Sequence, residues 1–302
     1  MIITVVTNLN FIDDKKLDYL IKNEIDICTS LDGPKFIHDA NRSLVGGGGS
    51  YDGVVKWIKK IKKEYDEKSI KRNINALITI TKKTLDYPKA VVDEYVKLNI
   101  KSIHLRSLTN LGCASTSWEK IGYSPEEFIK FWKKSLDYIL KLNQKGMIIK
   151  ERMTFIMLKK VLNKRGASDY LDLRSPCGAA IGQLLYNHDG KIFTCDEGRM
   201  VGNDIFKIGH VNQKYKEVLT SKQTCGIIAS SVNDCSICDS CVYQPYCGLC
   251  PVCNYFEQGS IIAKIPSTPR CKMYKAMFDY IVEKYLFDKE VKKVFDDWLN
   301  GC

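Results

Sequence analysis

Six cysteines fall between Cys235 and Cys253, in the run C-S-I-C-D-S-C-V-Y-Q-P-Y-C-G-L-C-P-V-C. Thiols at this density are bridged, metallated or reactive, and any fold the chain adopts has to accommodate that chemistry. The core of the run is Cys238-x2-Cys241-x5-Cys247-x2-Cys250, and Pro245, Gly248 and Pro251 force turns around it. Turns let sulfurs that are close in sequence point at one centre. An all-cysteine donor set suits zinc or an iron–sulfur cluster and not a hard cation.

Bridging is the weaker reading. Disulfide frameworks belong to short exported chains, whereas this one has 302 residues, an odd thirteen cysteines and no signal-peptide pattern at Met1-Ile2-Ile3-Thr4. Cys28 and Cys113 stand alone and read as ordinary buried thiols, and Cys302 as exposed and incidental. A formal charge of +11 invites a nucleic-acid partner, but the lysines are strung along helix faces, as in Lys59-Lys60, Lys62-Lys63 and Lys133-Lys134. No basic block is interleaved with aromatics, and metal-bound thiolates would cancel part of the charge. No nucleic-acid partner is expected. Nor is a membrane, since no apolar run reaches the roughly eighteen residues a spanning helix needs.

The length points to two domains. Ile2 to Asn8 reads as a buried β-branched strand, and Asp13 caps a helix carrying Leu17, Leu20 and Ile21. Glu24 to Leu31 returns as a strand ending in Ser30-Leu31-Asp32-Gly33-Pro34. The loop Gly46 to Gly49 lacks the Lys-Ser or Lys-Thr of a phosphate-binding loop, so it reads as a flexible connection to a helix with Val54, Ile58, Ile61 and Tyr65. A strand at Ile74 to Thr81, a helix entered at Pro88 and a strand at Ile100 to Arg106 continue the alternation. A long helix follows from Pro125 to about Lys145, with Phe128, Trp132, Leu136 and Ile139 inward. Repeated strand–helix units make parallel strands with helices outside, either a barrel or an open sheet, with ligands at the carboxyl ends of the strands. That placement makes Thr7, Asn8, Ser30, Asp32 and Arg106 pocket candidates, with Asp32-Gly33 reading equally well as a turn.

From about Arg174 the texture changes. Leu184 to Tyr186 and Lys191 to Thr194 flank His188-Asp189-Gly190, a hairpin signature that would hold Cys177 and Cys195 near one another. Cys225, the cysteine-rich run and Cys271 follow, and the tail from Lys272 carries two helices' worth of apolar spacing.

These residues resemble the SPASM domain, which carries two auxiliary 4Fe-4S clusters in radical S-adenosylmethionine (radical SAM) peptide maturases. The family pattern is Cys, nine to fifteen residues, Gly, four residues, Cys, then C-x2-C-x5-C-x3-C, then a final Cys. Here it reads Cys177, twelve residues, Gly190, four residues, Cys195, then Cys238-x2-Cys241-x5-Cys247-x2-Cys250, then Cys271. The spacing before Cys250 is two where the family has three, which leaves Cys250 and Cys253 both open as the ligand. The text Cys177-Gly-Ala-Ala-Ile-Gly-Gln, Thr194-Cys-Asp-Glu-Gly-Arg-Met and Tyr243-Gln-Pro-Tyr-Cys-Gly-Leu-Cys-Pro-Val is similar to His-Xaa-Ser system maturases of the HxsB type. Val6-Thr7-Asn8, Ser30 to Pro34 with His38-Asp39 and Arg42, and the strand leading to Arg106 resemble the third to sixth strands of the radical SAM barrel. The family's C-x3-C-x2-C motif and its Gly-Gly-Glu-Pro-type motif are not in the sequence.

The resemblance implies an α/β fold: an incomplete parallel (β/α) partial barrel lacking its first two strands over residues 1–150, then a helical linker over 151–174. A SPASM auxiliary-cluster domain with a β-hairpin follows over 175–275, then C-terminal helices over 276–302. It implies Cys238, Cys241, Cys247 and Cys271 as ligands of one cluster. Cys177, Cys195 and Cys250 would hold the other, with Cys225 as its fourth ligand and Cys235 and Cys253 as substitutes. Asp196, directly after the second motif cysteine, would be a base; the competing reading is that it bonds a turn. Ser30 and Asp32 match positions lining the S-adenosylmethionine pocket. S-adenosylmethionine and a third 4Fe-4S cluster are implied only if the missing N-terminal part is supplied. The implied partners are a precursor peptide, a second paired radical SAM maturase and a reductant protein, in the cytoplasm. Two rival readings stay open: an electron-transfer or substrate-binding subunit of a split maturase, and a zinc-binding interaction module.

Overall fold

Three parallel strands open the chain and set its architecture. In the computed structural model, which describes residues 1–162, 173–231 and 236–301, β1 (Thr4–Val6), β2 (Asp26–Ser30) and β3 (Asn75–Leu77) pair in that order. Helix α1 (Asp14–Lys22) connects β1 to β2, and α2 (Lys35–Asn41) and α3 (Tyr51–Glu67) connect β2 to β3. Helix α4 (Pro88–Lys97) leads to β4 (Ser102–Ile103), which lies beside β3. Helices α5 (Cys113–Thr116), α6 (Trp118–Ile121) and α7 (Pro125–Gln144) precede β5 (Lys150–Glu151), parallel to β4. The result is a partial α/β barrel, as the resemblance implied.

The local reasons are visible residue by residue. Asp13 takes the Lys16 N–H at 2.8 Å and so caps α1. Val54, Ile58, Ile61 and Tyr65 recur at helical spacing and form the buried face of α3. Pro88 occupies the first turn of α4, where its missing N–H costs nothing, and Val91, Val92 and Tyr95 turn inward. In α7 the inward set is Phe128, Phe131, Trp132, Leu136, Ile139 and Leu140.

One expectation is corrected. The opening strand is not buried: Ile2 is 85% exposed and Val6 68%, and among the described residues β1 pairs only with β2. β-branched content selects for a strand but not for its place in the sheet, and this strand lies at an edge.

Helix α8 (Arg152–Leu162) begins the predicted linker, of which 163–172 lie outside the described residues. Beyond it, β6 (Leu185–Tyr186) and β7 (Lys191–Phe193) form the expected hairpin. Helix α9 (Asp196–Val201) connects β7 to β8 (Lys207–His210), a third antiparallel strand that sequence reading missed. Then come α10 (Tyr215–Leu219), α11 (Lys222–Ser230), α12 (Ser236–Asp239), α13 (Pro251–Gln258), α14 (Pro269–Phe287) and α15 (Lys289–Leu299). No described helix is long and apolar enough to cross a membrane.

The chain divides into two compact units. One comprises Met1–Leu108, Glu126–Phe155 and Tyr285–Cys302; the other comprises Thr109–Pro125 and Ile156–Lys284. The tail belongs to the first because α15 is anchored there: Trp298 Nε1 donates to Asn143 Oδ1 at 3.2 Å, and Lys150 Nζ donates to the Trp298 carbonyl at 3.1 Å.

Candidate metal centre

The hairpin places the first two cysteines. Asn187 N–H bonds the Lys191 carbonyl at 2.9 Å, and Gly190 turns the chain with φ +80°, where a Cβ would stand 2.6 Å from His210 Nε2. Only glycine fits there without strain. The strand returning from this turn leads directly into Thr194, whose carbonyl accepts the Ala180 N–H at 2.9 Å. That bond draws the segment after Cys177 against the residue before Cys195. Both thiols lie in one apolar cluster with Leu111, Ala179, Phe206, Ile227, Val252 and Cys253, against which Cys250 packs.

Within this group the sulfurs terminate backbone donors. Cys177 Sγ accepts from Ala179 N at 3.5 Å, Cys195 Sγ from Gly198 N at 3.3 Å, and Cys250 Sγ from Cys253 N at 3.5 Å. The last two are helix N-caps, so α9 and α13 each begin on a cysteine, and the two helices pack together. Burial pushes the Cys177 thiol up to about 11 and the Cys195 thiol up to about 12. Cys253 donates its S–H to Cys250, which lowers Cys250 and raises Cys253. Without metal most of these groups therefore hold their protons, and any soft metal entering has to displace them.

A second thiol group lies one turn away in sequence. Burial pushes Cys247 up to about 11, with Cys271 and then Cys241 adding to the rise. Cys241 N–H bonds the Cys238 carbonyl at 3.0 Å, and α12, which carries Cys238, packs against Ile265–Ser267 just ahead of Cys271. Thr268 Oγ1 accepts the Cys271 N–H at 3.2 Å and caps the start of α14. Cys225 is exposed on α11, away from that helix's buried face of Thr224, Ile227 and Ser230. Cys235 lies outside the described residues. Cys28 is buried on β2 as expected, whereas Cys113, expected buried, is exposed at the start of a short surface helix.

Two residues near the first group gave no sequence signal. Arg270 Nη2 reaches Cys253 Sγ at 3.4 Å, and its charge favours the thiolate form of Cys177, Cys250 and Cys247 as well. Glu197 acts oppositely on Cys177, Cys195 and Cys250. A lone Arg in a proline-rich loop and a Glu in a first helical turn are too common to have been singled out. Asp196 opens α9 with its side chain 51% exposed, and Arg199 donates to its Oδ1 from Nη2 at 2.8 Å and from Nε at 3.2 Å. Among the described residues its Oδ2 has no hydrogen-bond partner.

The pocket candidates of the first unit divide into two kinds. Thr7 continues the β1–β2 ladder through its N–H to the Cys28 carbonyl at 2.9 Å, exposed Asn8 caps Asn10 N, and Ser30 and Arg106 are half-buried at strand carboxyl ends. Asp32, by contrast, is wholly buried and committed. Arg42 grips it with Nε to Oδ2 at 2.8 Å and Nη2 to Oδ1 at 3.2 Å, while Thr79 N (2.8 Å) and Asn41 Nδ2 (3.2 Å) supply further donors. Its own N–H donates to His38 Nδ1 at 3.3 Å. Asp32 therefore braces α2 against the end of β2 and the segment after β3.

The donors in both groups are thiols, a set that suits zinc or an iron–sulfur cluster. Among the described residues no three His, Cys, Asp or Glu side chains close on one point as a single-ion site, and no disulfide ties the described cysteines. Buried sulfurs that each receive an N–H match the hydrogen bonding that tunes such clusters.

No protein-family model matches the chain. It is similar to the cysteine-type anaerobic sulfatase-maturating enzyme of Clostridium perfringens, 23% identical over 91% of this chain and 70% of that protein. The enzyme of the same description from Clostridium novyi is 23% identical over 94% of this chain and 72% of that protein. Among solved structures, the chain superposes on anSMEcpe with bound AdoMet and a peptide with a TM-score of 0.76 at 20% identity, covering 97% of this chain and 75% of that one. It superposes on Streptococcus suis SuiB bound to precursor peptide SuiA with a TM-score of 0.60 at 18% identity, over 86% of this chain and 57% of that one. The chain thus has the α/β fold of the sulfatase-maturating enzymes, and the similarity is to these enzymes and SuiB rather than specifically to the His-Xaa-Ser type.

Proposed function

We propose that this chain is a radical SAM maturase of a ribosomally made peptide, holding two auxiliary 4Fe-4S clusters on its two thiol groups. The observation that carries the reading is the pair of thiol groups in one unit, Cys177, Cys195 and Cys250 in one and Cys241, Cys247 and Cys271 in the other, on a fold shared with peptide-bound maturases. Cys238 completes the second group by its spacing to Cys241. When bound, such clusters supply an electron acceptor and a substrate-binding surface.

The chain's own residues supply the rest. Asp196, next in sequence to Cys195 and with Oδ2 open, takes the proton released as the substrate side chain is oxidised. Arg199 fixes the carboxylate's orientation from the other oxygen. The step that cleaves S-adenosylmethionine needs the C-x3-C-x2-C cysteines, which these 302 residues do not contain. The reading therefore has a C-x3-C-x2-C-bearing part acting together with this chain, with a reductant protein supplying electrons.

A second reading keeps the fold and makes the chain the auxiliary subunit of a split maturase. The open edge of β1, with Ile2, Ile3 and Val6 exposed, favours it, since a further parallel strand there would cover them.

Anaerobic purification with iron, sulfide and zinc counted per chain tests the first claim. About eight irons with matching sulfide and brown absorbance are expected for two four-iron clusters. Colourless protein with about two zinc ions would leave a structural metal module instead. The purified, reconstituted chain alone is expected to form no 5′-deoxyadenosine from S-adenosylmethionine. Production appearing only after a C-x3-C-x2-C-bearing polypeptide is added supports the split arrangement.

A further inference from the structure

We propose that Cys253 supplies the fourth thiolate of the group formed by Cys177, Cys195 and Cys250, with Arg270 as the cation that steadies its sulfur. This rests on the iron–sulfur reading above and adds to it a ligand outside the sequence pattern.

Helix α13 carries the argument. Cys250 is its N-cap and Cys253 its third residue, the two positions that exchange hydrogen bonds in a capping box. The Cys253 N–H bonds Cys250 Sγ at 3.5 Å. The spacing Cys250-x2-Cys253 thus brings two sulfurs to the same end of one helix before any metal enters. Cys253 is only 4% exposed and belongs to the apolar cluster that contains Cys177 and Cys195. Helix α13 packs on α9, whose N-cap is Cys195. Three thiols from three segments therefore lie in one buried apolar cluster, and the fourth, Cys250, packs against it.

The donors complete the pattern. Cys177, Cys195 and Cys250 each receive a backbone N–H, and Cys253 receives the Arg270 guanidinium at 3.4 Å. A cation at a sulfur favours the thiolate, the form that binds metal. Each thiol that binds releases one proton, and no oxidant or reductant is consumed in the exchange. Cys225 has none of these features: it is exposed, one position off the buried face of α11.

The test compares the full-length chain with Cys253→Ala, Cys253→Ser and Cys225→Ala, each reconstituted anaerobically and desalted over chelator. Iron, acid-labile sulfide and the electron paramagnetic resonance spectrum are read together. Wild type and Cys225→Ala are expected to retain about eight irons. Cys253→Ala is expected to retain about seven or fewer and to give the near-isotropic signal of a three-iron cluster on mild oxidation. Cys253→Ser, close to isosteric in the buried site, separates loss of a ligand from loss of packing. It should lose iron or shift the reduced-cluster signal while keeping the wild-type far-ultraviolet circular dichroism. Unchanged iron and spectra in both Cys253 variants, or loss of iron in Cys225→Ala instead, overturns the assignment. Wild-type chain that binds zinc without sulfide overturns the iron–sulfur reading first, before any variant is compared, and Cys253 falls with it.

Discussion

Replacing Arg42 by Met should cost about 3 kcal/mol, the lower end of what breaking a buried ion pair costs. Asp32 is 0% exposed and Arg42 30% exposed at their side chains, so removing the arginine strips two charge-assisted bonds from a carboxylate with no access to water. What remains is Thr79 N at 2.8 Å and Asn41 Nδ2 at 3.2 Å, two neutral donors. The partial exposure of Arg42 argues for the lower end of the range. Urea unfolding followed by tryptophan fluorescence is well placed to read this, since Trp57, Trp132 and Trp298 all belong to the unit that contains Asp32. With a urea slope of about 1–3 kcal/mol per molar, the midpoint should fall by roughly 1–3 M. The double variant Asp32→Asn with Arg42→Met should recover about 1–2 kcal/mol of the loss, because it removes the stranded charge. A loss below about 0.5 kcal/mol, as for an exposed pair, would show that Asp32 is not the brace described. So would a double variant less stable than the single.

Glu151 is fully buried and takes the N–H groups of Leu105 (3.1 Å), Met153 (3.2 Å) and Thr154 (2.6 Å) together with the Thr154 hydroxyl (2.6 Å). Burial nevertheless raises its carboxyl above the usual range. A raised carboxyl contributes stability that is full below the unfolded value and is lost as pH rises through the folded one. Glu151→Gln turns an amide N–H toward donors, so it should destabilise by about 1–3 kcal/mol. The gap from wild type should narrow from pH 4 toward neutrality, and a gap that widens would contradict the sign. Gly190→Ala should lower the melting temperature of the second unit by about 2–8 °C, from roughly 1–2 kcal/mol of left-handed backbone strain, and an unchanged melt would mean that the turn relaxes. With a C-x3-C-x2-C-bearing part and peptide supplied, Asp196→Asn should reduce modified product at least about 100-fold by mass spectrometry while keeping wild-type iron. Loss of iron would mark Asp196 as structural.

The helices of the first unit were legible because their signals are local. Asp13 caps where a cap was needed, Pro88 starts a helix, and the spacing of Val54, Ile58, Ile61 and Tyr65 has one period only. Strand extents were less legible. The run Ile74 to Thr81 pairs regularly only over Asn75–Leu77, and Ile100 to Arg106 only over Ser102–Ile103, since pairing depends on neighbours distant in sequence. The same limit explains β1. Ile2 to Val6 has the composition of an interior strand, but interior or edge position is decided by which strands lie beside it, and composition carries no record of that. β8 was missed because Lys207-Ile-Gly-His is short and half polar, and its partner β7 is separated from it by a helix.

At the thiols, residue types and spacing were legible but facing was not. The resemblance put Cys225 forward as the fourth ligand and left Cys253 a substitute, although each lies a few residues from an apolar stretch. What separates them is helical phase. Cys225 sits one residue past Thr224 on a helix whose inward face is Thr224, Ile227 and Ser230, and so points outward. Cys253 sits three residues after a capping cysteine on a helix whose first turn is buried from Pro251 to Asn254, and so points inward. The phase of α13 is itself set by Cys250: once that thiol takes the Cys253 N–H, the i,i+3 relation leaves the Cys253 sulfur no other end of the helix to occupy. Arg270 is the same kind of case. It opens α14 one residue before Cys271, so the turn that delivers a cysteine to the second thiol group also delivers a guanidinium to the first. That shared turn couples the two groups: a substitution that shifts the start of α14 should disturb the sulfurs of both.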